Sequence, residues 1–275
     1  MQSDADNLRS IAKGYEPDRY LAALLAPKSV RADLITLAAF LGELRKIADQ
    51  VSDPMIGEIR VQWWRDTTEA AHPKQKSGHP IADALTDVLR RHDLSQDLLN
   101  DLLDATAHRL FSASPPDRLA FDQELELTEG VVFRLAARIL GCIENDMTLR
   151  AIALASQSYG RSRVGLSLPM SLAHGRSPLP PHRNENENDE KTDIQKHVRQ
   201  LCSDAAQSLQ DFRAIMTSMK GDNTALITAL LPVAVTEPYL KALQRADHDP
   251  AHDIAEIAPF TRVWRLRIAH ATGRI

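Results

Sequence analysis

The chain has 275 residues, a formal net charge of −4, and 43% hydrophobic and 25% charged residues. That length can bury a substantial core, and the acidic balance argues against nucleic-acid binding, which usually leaves a basic surplus. No run reaches the ~18 continuous apolar residues of a membrane span, and the polar start MQSDADNLRS does not read as a signal peptide. A cytoplasmic protein is therefore expected, with peripheral contact at the inner face of the membrane as its only membrane role.

Glycines are few, period-two alternation is scarce, and Ala and Leu dominate, so helices are expected throughout. The first is expected over 18–26, closed by Pro27. Ser29 is placed to cap a long helix to about 51, with Leu34, Leu37, Leu41, Leu44, Ala48 and Val51 on one face. Pro54 suits the first turn of a helix that passes Trp63 and Trp64 and ends near 71. The polar stretch HPKQKSG precedes a helix from His79-Pro80 to Arg91, and Ser95 caps another that ends near Phe111, before SASPPD.

LTEGVVFRLAARILG reads as a buried helix with Gly141 as its C-cap. From about Met147 the next helix enters RVGLSLPMSLAHGRSPLP, where Pro169 is expected to kink or end it. Residues 180–193, PPHRNENENDEKTD, form the low-complexity run and read as a flexible polar loop. Helices over about 194–219, 224–246 and 254–271 close the chain. Residues 1–275 are expected to form a single all-α domain. The alternative, a seven-helix and a three-helix unit on either side of the polar loop, leaves the smaller unit a thin core. Cys142 and Cys202 have no ligand spacing and read as reduced, packed thiols.

Motifs that carry chemistry are sparse. The ten histidines form no HExxH, and GxSxG and Walker-type loops are absent, so zinc is not expected. ELRKIADQ places Arg45 and Asp49 at i and i+4, and Glu43 and Lys46 at i and i+3, spacings that allow ion pairs. In IRVQWWRD, Arg60 and Asp66 flank two adjacent tryptophans that cannot share one helix face. One is expected in the core, and the other along a groove or over a neighbouring helix. Gly160, Arg163, Ser167 and Ser171 fall on one helical line, with small and hydroxyl residues where apolar ones would be easier to bury.

DRYLAALLAPKSVRADLITLAAF, IRVQWWRD, HPIADAL, TEGVVFRLAARILG, GRSPLP and LLPVAVTEPYL occur in this order between about 18 and 240. In sequence and order they resemble the squalene/phytoene synthase family. The resemblance implies an isoprenoid-synthase-type helical bundle with a central cavity. It also implies two aspartate-rich motifs whose carboxylates hold Mg²⁺ against a prenyl diphosphate, because Mg²⁺ demands oxygen ligands. Counting from Phe40 places the first motif on Arg45 and Asp49. Counting back from Gly175-Arg176 places the second on Ser167 and Ser171, with Gly160 and Arg163 at the preceding polar positions.

Three of the four aspartate positions then lack a carboxylate. The pattern is similar to the branch of the family that includes a mitochondrial complex I assembly factor. It implies a non-catalytic assembly or lipid-binding factor, with a protein partner in respiratory-complex assembly. A prenyl or lipid ligand could be held by Arg45, Arg163, Arg60 and Trp63. No cofactor is then expected and no metal, Asp49 being the sole residual ligand. The competing expectation is an active prenyltransferase that needs Mg²⁺ and draws on Glu43 or Asp53 as replacement acids. A third is a scaffold with no ligand at all.

Overall fold

The computed structural model describes residues 2–50, 53–69, 76–112, 114–180 and 190–275, without the side chains of residues 2, 3, 48–50 and 190–193. The helices are α1 (Gln2–Tyr15), α2 (Pro17–Leu25), α3 (Lys28–Gln50), α4 (Pro54–Glu69), α5 (Pro80–Arg91), α6 (Gln96–Phe111) and α7 (Arg118–Leu125). There follow α8 (Val131–Ile139), α9 (Asp146–Ala173), α10 (Glu190–Ser218), α11 (Thr224–Leu230), α12 (Thr236–Leu243) and α13 (Pro259–Thr272). A π-helical turn, Glu126–Gly130, follows α7, and a 3-10 turn, Leu231–Val235, follows α11. No strand occurs among the described residues, as the composition implies.

Several boundaries differ from the sequence expectations. Helix α1 was not expected, although Leu8 and Ala12, one turn apart, are buried along it. Helix α3 starts before Ser29, which therefore lies inside the first turn. The Pro27 carbonyl instead accepts from the Val30 and Arg31 amides at 3.1 Å each. Helix α7 also went unread, capped by Asp117, whose Oδ1 accepts from the Ala120 amide at 2.8 Å.

Pro169 does not end α9, which continues to Ala173. It lies in the last turns, so few ladder bonds follow the missing N–H. The expected 224–246 helix is interrupted because Pro232 has no N–H for the Thr228 carbonyl, and the chain tightens into the 3-10 turn. Pro259 occupies N1 of α13, so 254–258 stay outside that helix. Gly141 follows α8 with φ 78°, the left-handed geometry expected of it. Of the expected polar loop, 181–189 fall outside the described residues, and α10 already begins at Glu190.

The helices group into two compact units. The first comprises Met1–Phe111, Val131–Ile143 and Thr224–Leu231, and the second Ser112–Gly130, Glu144–Asn223 and Pro232–Ile275. Each draws on separated stretches of chain, so neither matches a division at the polar loop. In the first unit, α3 packs against α1, α2, α5 and α8, and Phe40, Ile81, Leu99, Leu103 and Leu135 are fully buried. In the second, α9 and α10 pack along each other with α12 against both. Their core includes Phe121, Leu125, Leu168, Leu201, Cys202 and Leu243. Burial of each large apolar side chain contributes about 2 kcal/mol. The stretch Thr224–Leu243 is long and apolar enough to cross a bilayer, but it is mostly buried inside the protein, as core helices are.

Candidate functional site

Helix α9 begins with a capping box. The Asn145 side chain accepts from the Thr148 amide at 3.0 Å, and Thr148 Oγ1 accepts from the Asn145 amide at 2.7 Å. That start sets the register that aligns Gly160, Arg163, Ser167 and Ser171. Three hydroxyls of α9 are satisfied by their own helix, whereas the buried Ser158 hydroxyl has no hydrogen-bond partner among the described residues. Ser156 donates to the Ala153 carbonyl (2.8 Å), Ser162 to that of Tyr159 (2.7 Å) and Ser167 to that of Val164 (3.2 Å). Gly160 is buried where the π turn comes close. A Cβ there would lie 2.9 Å from Leu125 Cδ2 and 3.2 Å from Glu129 Cγ.

The same turn delivers Glu129 to Arg163, with Nε to Oε1 at 3.3 Å. The Arg163 guanidinium lies 5.4 Å from the centre of the Tyr159 ring, and its Nη1 donates to Tyr159 Oη at 3.3 Å. The charged residue of this α9 line is thus a cation held by a carboxylate and an aromatic ring. The sequence reading did not find Glu129.

Arg45, in the first unit, also binds a carboxylate. Its Nε pairs with Glu16 Oε1 at 2.9 Å, and its Nη1 donates to the Tyr15 carbonyl at 3.4 Å. Glu16 is 2% exposed and also binds Arg19 at 2.6 Å, whose guanidinium sits 5.4 Å from the Phe133 ring centre. Glu16, on the α1–α2 connection, is thus a described carboxylate partner of Arg45 that the helical spacing did not indicate. The Asp49 side chain falls outside the described residues. A Glu-Pro pair opening a helix was the available signal for Glu16, but periodicity does not show which cation it meets.

Lys46 pairs with Glu43 at 2.8 Å, as the spacing predicts. Asp53 is exposed beyond α3 and caps α4, its Oδ1 accepting from the Met55 amide at 2.9 Å. On α4, Arg60 is exposed and Trp63 is 39% exposed, edge-on to Trp64 and His79. Trp64 is buried against Phe40, so the two tryptophans divide as expected. The structure brings neither Arg60 nor Trp63 to Arg45 by any described contact. Cys142 and Cys202 are free thiols, and burial pushes the Cys202 thiol up to about 11. Cys142 is only half-buried, so just one of the two is packed as expected. No group of three or more His, Cys, Asp or Glu side chains able to hold a metal occurs among the described residues.

A pocket of about 580 Å³ opens within the second unit, walled by Phe121, Leu179, Pro180 and Leu201, with Arg161, His197 and Asp204 among its polar groups. Arg161 is buried and paired with Asp122, and burial lowers its pKa despite that partner. None of the four motif positions on α9 lines it.

Residues 12–269 match the squalene/phytoene synthase family model. The chain belongs to the squalene/phytoene synthase family. The NADH dehydrogenase (ubiquinone) complex I, assembly factor 6 of Bos taurus is 26% identical over 267 residues, covering 90% of this chain and 78% of that protein. Its Homo sapiens counterpart is 27% identical over 246 residues, covering 85% and 72%. Among solved structures, the squalene synthase HpnC from Alicyclobacillus acidocaldarius superposes with a TM-score of 0.70 at 15% identity, over 88% of this chain and 94% of that one. A dehydrosqualene synthase in complex with ligand gives 0.71 at 16% identity, over 98% and 96%. These similarities show the all-helical isoprenoid-synthase fold. Within it, this squalene/phytoene synthase family member carries Gly, Arg, Ser and Ser at the α9 positions counted as its second motif.

Proposed function

We propose that this chain is a non-catalytic member of the family, acting in the cytoplasm as an assembly factor for a respiratory NADH dehydrogenase. The α9 stripe carries this reading. Its hydroxyl and glycine positions offer Mg²⁺ no anionic oxygen, and its one charged residue is an arginine engaged by Glu129. Relatives that match most of the chain are named as complex I assembly factors, which supports the assembly half. Arg45 and Arg163 are suited to a diphosphate or lipid headgroup, but such an anion would have to displace Glu16 and Glu129. A protein partner is therefore favoured over a prenyl ligand.

The test is gene deletion in the encoding organism. Assembled NADH dehydrogenase on native gels should fall, and both the wild-type gene and an Asp49→Ala variant should restore it. Undiminished assembly after deletion rejects the role. A second reading, an Mg²⁺-dependent prenyltransferase, rests on Asp49 at the end of α3 and Asp53, which caps α4, as acids four residues apart in sequence. Incubating the purified protein with farnesyl diphosphate and Mg²⁺ should give no condensed product, and a squalene-type product at ordinary enzyme rates would establish that second reading.

A further inference from the structure

Helix α13, PFTRVWRLRIAHAT, turns its conventional hydrophobic residues Leu266 and Ala269 into the protein. Arg262 and Arg265 also face inward, Arg262 donating to Tyr239 Oη at 3.2 Å and Arg265 pairing with Glu237 at 3.2 Å. About 100° per residue places Phe260, Trp264, Arg267, Ile268 and Ala271 together on the opposite face, with Val263 at its edge. That face is open to solvent, Phe260 being 74% exposed, Trp264 55% and Ile268 41%. Phe260 and Trp264 stack with ring centres 6.0 Å apart, so the aromatic pair is already formed.

The charge carried by this helix and the tail after it is one-sided. Residues 259–275 contain no Asp or Glu, although the whole chain has a net charge of −4. Arg267 and Arg274 are exposed and have no carboxylate partner among the described residues. Exposed apolar area beside unpaired arginines supplies the two attractions, apolar burial and charge, that hold a helix in an anionic membrane interface.

We propose that α13 docks the protein on an anionic lipid bilayer. Phe260, Trp264 and Ile268 enter the headgroup–acyl boundary, while Arg267 and Arg274 reach lipid phosphates. Arg267 decides between a bilayer and a protein groove. It stands within the apolar face, where a protein interface would bury its charge unless matched, whereas at a bilayer its long stem lets it reach the headgroups. The exposed Met55, Ile56, Ile59 and Trp63 of α4 differ in this respect, because Asp53, Glu58 and Asp66 accompany them. The inference stands independently of the assembly role.

The test is co-sedimentation of the full chain with vesicles of phosphatidylcholine, alone or mixed with phosphatidylglycerol. Binding is expected to the mixed vesicles and to weaken in high salt. Changing Arg267→Gln and Arg274→Gln should lower affinity roughly fivefold per charge. Phe260→Ser with Trp264→Ser should abolish binding. These side chains are exposed, and circular dichroism should confirm that the variants fold. Brominated acyl chains should quench wild-type tryptophan fluorescence more than that of Trp264→Phe. Failure to bind either vesicle, or equal binding by the double serine variant, overturns the proposal. So does a wild-type dimer that the serine variant converts to monomer without any vesicle binding, since a second copy would then be the occupant.

Discussion

Glu16 is a carboxylate almost wholly removed from water, and it is tolerated because two guanidinium groups neutralise it. Arg19 is itself 9% exposed, while Arg45 is 40% exposed. Loss of Glu16 would remove a buried carboxylate from Arg19 in a low-dielectric site, so Glu16→Ala should lower stability by about 3 kcal/mol. Arg45→Ala removes a partly solvated partner and should cost only about 1 kcal/mol. Chemical denaturation of the two variants checks the ranking. If Arg45 served only to hold a ligand, Arg45→Ala would leave the denaturation midpoint unchanged. Ser156 and Ser162 of α9 obey the same economy of polar groups, each burying a hydroxyl whose proton is given to a carbonyl one turn back.

At the scale of elements, the contact between the π turn Glu126–Gly130 and α9 positions the candidate site. The wider turn brings Glu129 towards Arg163, and the missing side chain at Gly160 leaves room for it. Gly160→Leu should cost about 2 kcal/mol by overpacking against Leu125 and Glu129. Gly160→Ala should cost less, because its gain of about 1 kcal/mol in helix propensity offsets part of the strain. Thermal melts of both variants measure the difference. A Leu variant as stable as wild type would mean that the π turn can move away freely.

At the scale of the second unit, Glu237 ties three helices together, with Arg213 of α10 at 2.6 Å and Arg265 of α13 at 3.2 Å. The hydrogen bond from Arg213 leads in holding its carboxyl below the ordinary 4.5, against the opposing effect of burial, and the charges of Arg213 and Arg265 add to it. A folded-state pKa below the unfolded one means that the unfolded chain binds more protons as the pH falls. The stabilisation is therefore full above the unfolded value and is lost as pH drops through the folded one. Glu237→Gln should lower the melting temperature at neutral pH by an amount equivalent to about 1 kcal/mol, given its partial exposure. The gap between variant and wild type should close below pH 4.5. Melts across an acid pH series would show it, and a gap independent of pH would remove Glu237 as the cause.

Much of this protein was legible along the chain. Local composition and spacing determined an all-helical fold, the packed face of α3 through Leu34, Leu37, Leu41 and Leu44, the stop at Gly141, and the family through ordered motifs. Helical periodicity is a property of neighbours, so it also brought together Lys46 and Glu43. It could not find α1, whose polar start hides a narrow apolar stripe, or see that α9 carries on past Pro169. Nor could it choose partners for long side chains. Spacing offered Arg45 only Asp49 on its own helix and named no partner for Arg163, yet Glu16 and Glu129 reach them from other elements. A buried charge takes its counter-charge from whatever the packing brings within about 4 Å, and only the tertiary structure decides that.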